Sequence, residues 1–204
     1  MSRGYRKDVP MLFDVEPLVD HFRQRGKPTV DAVHTAMCHL DRNLSPVLLQ
    51  RLYEERLLTR RAATRWVGQA WSGCEFPETA LDAEEWQYLF WRAGFTVDGR
   101  RADLPDAPLV LYRGATYERR DGWSWTDDIE VARWFARRIN GEGWQTYCSF
   151  QGPAFHRVRE SPAVVWKATV EPDRLYAGNL SARRGEPEYV IDTDGLDITE
   201  YASA

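Results

Sequence analysis

The chain has 204 residues, of which 43% are apolar and 28% charged, a composition typical of one globular domain or of a domain with an extension. Its formal net charge of −4 argues against a surface coated in positive charge for nucleic acid. No apolar run has membrane-spanning length and the first residues lack the apolar core of a secretory signal, so we expect a cytoplasmic protein of the producing cell or of a host cell. The three cysteines, Cys38, Cys74 and Cys148, are widely spaced, so we expect neither a disulfide framework nor a metal site.

The first half of the sequence predicts helices separated by short breaks. Apolar residues recur at helical spacing in four successive segments, 15–22, 33–40, 48–53 and 62–71. A fifth helix is predicted to begin at Asp82, because Asp82 and Glu85 have the spacing of a capping box, and to stop at Gly94. We therefore expect a helical region over residues 1–96.

The second half predicts short strands around one helix. Residues 97–108 are polar and contain two prolines and a glycine, which predicts a loop. Strands are predicted at 109–113, 164–170, 175–177 and 188–191. Thr126, followed by two aspartates, has the composition of a helix N-terminus and predicts a helix up to residue 139. The expected fold class is therefore α+β, with the helical region at 1–96 followed by a β-rich core at 97–204.

Three short motifs in the second half stand in a defined order along the chain. They are Leu111-Tyr112-Arg113-Gly114, Ser124-Trp125-Thr126 and Glu186-Pro187-Glu188. The set resembles the arginine–serine–glutamate class of ADP-ribosyltransferases, in which an arginine, a Ser-x-Ser/Thr motif and a Glu-x-Glu motif lie on three core strands. The resemblance covers residues 109–192. It implies a split, mainly antiparallel β-sheet core of the ADP-ribosyltransferase type, with a cleft between its sheets.

The first two motifs suit a pyrophosphate and a ribose. A planar guanidinium can hold two phosphate oxygens through parallel hydrogen bonds, and a neighbouring glycine lets the backbone approach closely. The resemblance implies that Arg113 and Gly114 bind NAD+. It also implies that Ser124 holds the nicotinamide ribose and braces the catalytic glutamate, with Thr126 beside it. Residues two apart in a strand share a face, so Trp125 is expected to point the other way, into the core. Thr126 equally suits the N-cap of the following helix.

The third motif suits cleavage of the bond between nicotinamide and ribose. Glu186 and Glu188 are two apart, so on an extended segment both carboxylates face one cleft. The cleavage develops positive charge on the ribose, which a fixed carboxylate stabilises. The resemblance gives this task to Glu188 and implies that Glu186 orients and deprotonates the acceptor, with glutamate at that place favouring arginine. It further implies that Tyr176 contacts the acceptor, and that Phe155 and Arg157 contact nicotinamide and phosphate.

The resemblance therefore implies an enzyme that takes NAD+ as its substrate, needs no metal and passes ADP-ribose to a protein, as bacterial and phage members of this class do. Two alternatives keep the chemistry and change the acceptor, to water in an NAD+ glycohydrolase or to a nucleic acid. A third alternative is a catalytically inactive binding or inhibitor module on the same fold. A basic stretch in the helical half suits nucleic acid, although such a run is more often a solvated helix face. It comprises Arg51, Arg56, Arg60, Arg61 and Arg65, with Trp66 close by.

Overall fold

The computed structural model describes residues 14–141, 161–181 and 186–201. The chain divides into two compact units, Met1–Ala102 and Asp103–Ala204. In their described parts the first unit is mostly helical, and the second combines antiparallel strands with one α-helix. The expected α+β fold class, with helices preceding the sheets, is confirmed.

Six α-helices make up most of the described part of the first unit. They are α1 (Glu16–Arg25), α2 (Val30–Cys38), α3 (Ser45–Glu54), α4 (Arg60–Gly73), α5 (Pro77–Ala80) and α6 (Ala83–Ala93). Thr29 and Thr59 cap α2 and α4 by accepting hydrogen bonds from backbone N–H groups, and Asp82 and Glu85 form the predicted capping box of α6. Gly94, with a φ of 73°, ends α6 as predicted. None of the helices in the described ranges is long and apolar enough to span a membrane.

Large apolar side chains from α3, α4 and α6 fill the interior of the first unit. Leu48 and Leu52 of α3 and Leu89 of α6 are fully buried, and Trp71 and Trp86 are at most 2% exposed. The two tryptophan rings meet edge to face, with their centroids 4.9 Å apart. The apolar spacing in the sequence therefore marks the core of this unit correctly.

The segment predicted as a loop begins with a β-hairpin. Strand β1 (Thr96–Val97) pairs antiparallel with β2 (Arg100–Arg101). Asp98 and Gly99 join the strands with φ values of 52° and 70°, the positive values of a two-residue hairpin turn. The loop prediction for 97–108 was wrong at its start, because an Asp-Gly pair between two short extended segments favours this turn.

The second unit contains two groups of antiparallel strands. The strands are β3 (Leu109–Ala115), β4 (Ser124–Trp125), β5 (Val164–Val170), β6 (Leu175–Asn179), β7 (Glu188–Ile191) and β8 (Thr199–Glu200). Strands β3, β5 and β8 lie side by side in that order, and β6, β7 and β4 form the other group. The groups connect where Tyr112 of β3 and Thr126 exchange backbone hydrogen bonds of 2.7 and 2.9 Å.

The N-cap of helix α7 (Ile129–Asn140) lies two residues later than predicted. Asp128 is the N-cap, and its carboxylate accepts a hydrogen bond of 2.8 Å from the backbone N–H of Glu130. Thr126 accepts instead from the N–H of Asp128, at 3.1 Å. The prediction of Thr126 as N-cap was wrong because the backbone of Thr126 is still paired with β3, which keeps the chain extended past this residue.

Candidate functional site

The three motifs lie on strands that follow one another across the second unit. Arg113 belongs to β3, Ser124 to β4, and Glu188 is the first residue of β7. Strand β3 connects to β4 through the bridge described above, and β4 pairs with β7 through Ser124 and Val190. Residues far apart in the sequence are thereby brought onto neighbouring strands.

Register places the serine and the second glutamate on the same face. Ser124 lies opposite Val190, and Val190 shares a face with Glu188 because the two are two residues apart in one strand. Both Ser124 and Glu188 are half-buried. Trp125 points to the other face and is 2% exposed, which confirms its predicted place in the core. Thr126 is two residues after Ser124, so in extended backbone it shares this face, and it is buried.

The guanidinium of Arg113 holds the start of β4. Its Nε donates to the carbonyl oxygen of Arg119 at 3.0 Å, and its Nη1 donates to the carbonyl oxygen of Ser124 at 2.7 Å. One planar group thus joins the segment after β3 to the serine of the second motif. The structure places Arg113 at the backbone of Ser124, a positioning contact that the sequence did not predict.

We expect Arg113→Lys to destabilise the second unit by about 2 kcal/mol, because a lysine ammonium has no planar fork with which to reproduce both carbonyl contacts. Chemical unfolding of the purified variant measures this effect. Arg133→Lys is the matched control, since the surface ion pair of Arg133 with Glu130 tolerates an ammonium. Equal stability of the two variants would contradict the positioning role of Arg113.

Gly114 lies against the backbone of α7. A Cβ atom at this position would lie 2.1 Å from the carbonyl oxygen of Ala132 and 2.6 Å from the amide nitrogen of Ala136. Both alanines are buried, so small residues on the helix and a glycine on the strand together allow the close approach. Packing against α7 thus accounts for a glycine here, whereas the resemblance implied a contact with NAD+.

We expect Gly114→Ala to lower the free energy of unfolding by about 3 kcal/mol, because backbone atoms of a helix cannot move aside cheaply. Thermal unfolding monitored by circular dichroism measures the loss. Gly141→Ala is the control, since a Cβ there meets its nearest atoms at 3.4 and 3.5 Å and the backbone conformation suits any residue. A Gly114→Ala protein that is as stable as wild type but binds NAD+ poorly would point to the nucleotide contact instead.

Glu188 has a buried polar neighbour that the sequence analysis did not single out. Asn179, the last residue of β6, lies directly opposite Glu188 and is 3% exposed. Directly opposed side chains of an antiparallel pair share a face, with their Cβ atoms about 5 Å apart. The sequence does contain a hint of this role, because Asn179 is the one amide side chain in a strand otherwise made of apolar or small residues, Leu-Tyr-Ala-Gly-Asn.

Glu186 is half-buried and precedes β7 outside any strand.

Trp123, the residue before Ser124, forms an aromatic pair with Tyr176 of β6. Tyr176 sits in an irregularity of β6, where Leu175 pairs with Ile191 but Ala177 pairs with the preceding residue of β7. Its ring contacts that of Trp123, with centroids 5.2 Å apart. The carbonyl oxygen of Trp123 accepts a 3.0 Å hydrogen bond from the N–H of Ile191. Tyr176 is therefore part of a half-buried aromatic pair at the edge of the second motif.

Two predicted contacts, Phe155 and Arg157, lie outside the described residues. Among the described residues, no group of three or more His, Cys, Asp or Glu side chains is arranged to hold a metal ion.

The buried Cys74 donates to the side chain of Asn43, and burial raises the pKa of its thiol. Cys74 therefore has the environment of a structural cysteine.

The basic stretch of the first unit is engaged within that unit at two of its arginines. Arg51 of α3 forms ion pairs with Glu16 and Glu54, and the hydrogen bond to Glu16 is the largest cause that holds its pKa above the usual value. The guanidinium of Arg65 lies 4.6 Å from the centre of the Trp66 ring. These contacts favour a solvated, self-paired surface over a continuous strip of charge for nucleic acid.

The sequence matches no protein-family model, and neither a curated protein nor a solved structure is significantly similar to it.

Proposed function

We propose that the protein is an NAD+-dependent mono-ADP-ribosyltransferase that passes ADP-ribose to an arginine of another protein. The observation that carries this proposal is the arrangement of β3, β4 and β7, which brings Arg113, Ser124 and Glu188 onto neighbouring strands. The proposal is supported by the fact that three motifs far apart in the sequence lie on neighbouring strands. The proposal also places the protein in the cytoplasm of the producing cell or of a host.

In the proposed reaction, Glu188 acts on the nicotinamide ribose. The bond from ribose C1′ to the nicotinamide nitrogen breaks, and nicotinamide leaves with the electron pair. Positive charge then develops on the ribose, where the carboxylate of Glu188 stabilises it. Ser124 shares a face with Glu188 and holds the same ribose. Thr126, the residue after β4, shares this face with Ser124 and lies beside the ribose in the proposal.

Arg113 contributes charge and alignment together. Hydrogen bonds to the two backbone carbonyls leave the positive charge of the guanidinium unneutralised. In the proposal, this charge attracts the pyrophosphate of NAD+. The same contacts hold the serine strand in place under the ribose. Gly114 packs against α7, and the proposal keeps its backbone as a contact of NAD+.

The acceptor side consists of Glu186 and the aromatic pair. A nitrogen of the acceptor guanidinium attacks C1′ and forms the new bond, and its proton passes to the carboxylate of Glu186. The Tyr176 ring, paired with Trp123, offers a face on which a guanidinium can stack. An arginine acceptor is thus consistent with both the carboxylate and the rings.

The proposal is tested by incubating the purified protein with NAD+ labelled in its adenylate part and a cell lysate, beside the Glu188→Ala variant. Free nicotinamide and label fixed to macromolecules are followed together. We expect both signals with the wild type and neither with the variant. Protease should release the fixed label, nuclease should not, and mass spectrometry of the labelled peptides should locate it on arginine.

The other outcomes separate the alternatives. Label released by nuclease would identify a nucleic-acid acceptor. Nicotinamide release without fixed label, in lysates of several cell types, would identify an NAD+ glycohydrolase. Neither signal, with no heat of NAD+ binding in calorimetry, would overturn the proposal in favour of an inactive binding module.

A further inference from the structure

An open pocket of about 370 Å³ lies in the first unit. Its walls are the start of α2, the first two turns of α4 and the turn between β1 and β2. The volume is at the lower end of the range of small-molecule sites, roughly 300–1,000 Å³. All its lining residues belong to the first unit, whereas the three motifs lie in the second, so this pocket is separate from the proposed NAD+ site.

Hydrogen bonds and ring stacking join the walls of the pocket to each other and to α6. The indole N–H of Trp66 in α4 donates to the carbonyl oxygen of Val30 in α2 at 2.9 Å, and the ring stacks on His34 with centroids 4.5 Å apart. Thr64 donates to the carbonyl oxygen of Ala93, at the end of α6, at 2.9 Å. These contacts fix α2 against α4, so the pocket is formed without a ligand, which lowers the cost of binding one.

The hairpin turn holds the guanidinium of Arg65. Its Nη1 donates to the carbonyl oxygen of Asp98 at 3.1 Å. Gly99 is buried, and a Cβ atom there would lie 2.3 Å from the same nitrogen, so a glycine leaves the room that this contact needs. A bond to a neutral carbonyl leaves most of the five guanidinium donors, and the whole positive charge, for a ligand.

Two positive charges line the pocket without an acidic partner. Arg61 and Arg65 are four residues apart, so their side chains share a face of α4, where like charges repel. Among the described residues neither arginine forms an ion pair, and the guanidinium of Arg61 forms no hydrogen bond. Arg51 of the same unit, by contrast, is paired with two glutamates. An anion bound between the two guanidiniums would relieve the repulsion.

Asp31 adds one carboxylate to this basic lining. It is exposed in the first turn of α2 and forms no ion pair with either arginine. A carboxylate repels a bare anion but accepts hydrogen bonds from hydroxyl groups. Phosphate suits two guanidiniums, because its oxygens accept parallel N–H···O bonds. A ligand with a phosphate at one end and hydroxyl groups at the other therefore matches all three charged side chains.

We propose that this pocket binds a phosphate monoester that carries hydroxyl groups, namely a sugar phosphate or a nucleoside monophosphate. Arg61 and Arg65 hold the phosphate, and Asp31 accepts a hydrogen bond from a hydroxyl group. The ligand contacts none of the residues of the three motifs, so the proposal does not rest on the proposed function.

Calorimetric titration of the full chain tests the phosphate half of the site, with ribose 5-phosphate as the first probe. We expect Arg61→Gln to weaken its binding at least about tenfold, the usual effect of losing a charge-assisted hydrogen bond. Arg60→Gln is the matched control, since Arg60 is an exposed arginine of the same helix that does not line the pocket. Its binding should stay within about twofold of wild type, because solvent and salt screen its charge.

Inorganic phosphate as a second probe, together with Asp31→Asn, tests the hydroxyl half. Wild type should bind ribose 5-phosphate at least about tenfold more tightly than inorganic phosphate, because the ester alone has hydroxyl groups for Asp31. In Asp31→Asn this preference should shrink to less than about threefold, since phosphate gains from the lost repulsion while the ester loses a charged acceptor. A preference that Asp31→Asn leaves unchanged would overturn the role of Asp31.

Adenosine monophosphate as a third probe separates the two sources of the ligand. Tighter binding than that of ribose 5-phosphate would support a nucleotide, and equal binding would support a sugar phosphate. Binding that Arg61→Gln leaves unchanged would lie elsewhere in the molecule and would overturn the pocket. Absence of both heat and a rise in Tm with all three probes at millimolar concentration would overturn it too. None of these readouts uses nicotinamide release, so the pocket and the proposed function are tested independently.

Discussion

Glu188→Gln is expected to slow nicotinamide release from NAD+ by about a hundredfold to a thousandfold. The amide keeps the size of the side chain and one acceptor oxygen but loses the negative charge. That charge matters most when positive charge has developed on the ribose, so the loss falls on the transition state. A steady-state assay of free nicotinamide at saturating NAD+ measures the effect directly.

Binding of NAD+ by Glu188→Gln should change far less than the rate. Calorimetry should give a dissociation constant within about fivefold of wild type, because an interaction made mainly in the transition state lowers kcat and not ground-state affinity. Glu171→Gln is the matched control, since Glu171 is an exposed carboxylate of the same unit outside the three strands. A Glu188→Gln rate equal to that of this control would remove Glu188 from the reaction.

Much of the fold could be predicted from the sequence because its local signals are strong. Asp82 with Glu85, and Gly94 at the other end, defined α6 through backbone capping that involves near neighbours only. Alternation predicted the buried place of Trp125 in the same way. Such features depend on a few adjacent residues, and tertiary contacts seldom override them.

Predictions failed where pairing with a distant strand decided the outcome. Thr126 has the residue type of a helix cap, but its backbone pairs with Tyr112, so the cap moves to Asp128. The close packing of Gly114 against α7 was likewise absent from the sequence analysis, whereas its contact with NAD+ stays a prediction. Neither contact leaves a periodic trace in the sequence.

The candidate site was only partly accessible to sequence reasoning for the same physical reason. The motif order predicted that Ser124 and Glu188 lie close together, and the register puts them on one face of the sheet. The place of Asn179 opposite Glu188 depends on the register of β7 with β6. Register follows from the whole hydrophobic pattern and the turns, which a single motif does not contain.

Glu186→Gln is expected to separate transfer from hydrolysis. We expect label transfer to protein to fall by about a hundredfold, the usual contribution of a positioned general base, because the amide cannot accept the proton of the acceptor guanidinium. Nicotinamide release in the absence of acceptor should stay within about threefold of wild type, since Glu188 and Ser124 still act on the ribose. Both rates are measured in one reaction, with and without an arginine-containing acceptor peptide.

Glu188→Gln is the matched comparison, because it should suppress both rates together. The two carboxylates are two residues apart, yet only Glu188 lies within β7 and faces Asn179, whereas Glu186 precedes the strand. Because Glu186 lies outside the paired strand, its carboxylate is better placed to contact the acceptor than to be held against the ribose of NAD+. Equal loss of transfer and hydrolysis in Glu186→Gln would place Glu186 on the ribose as well, and an acceptor other than arginine would then have to be considered.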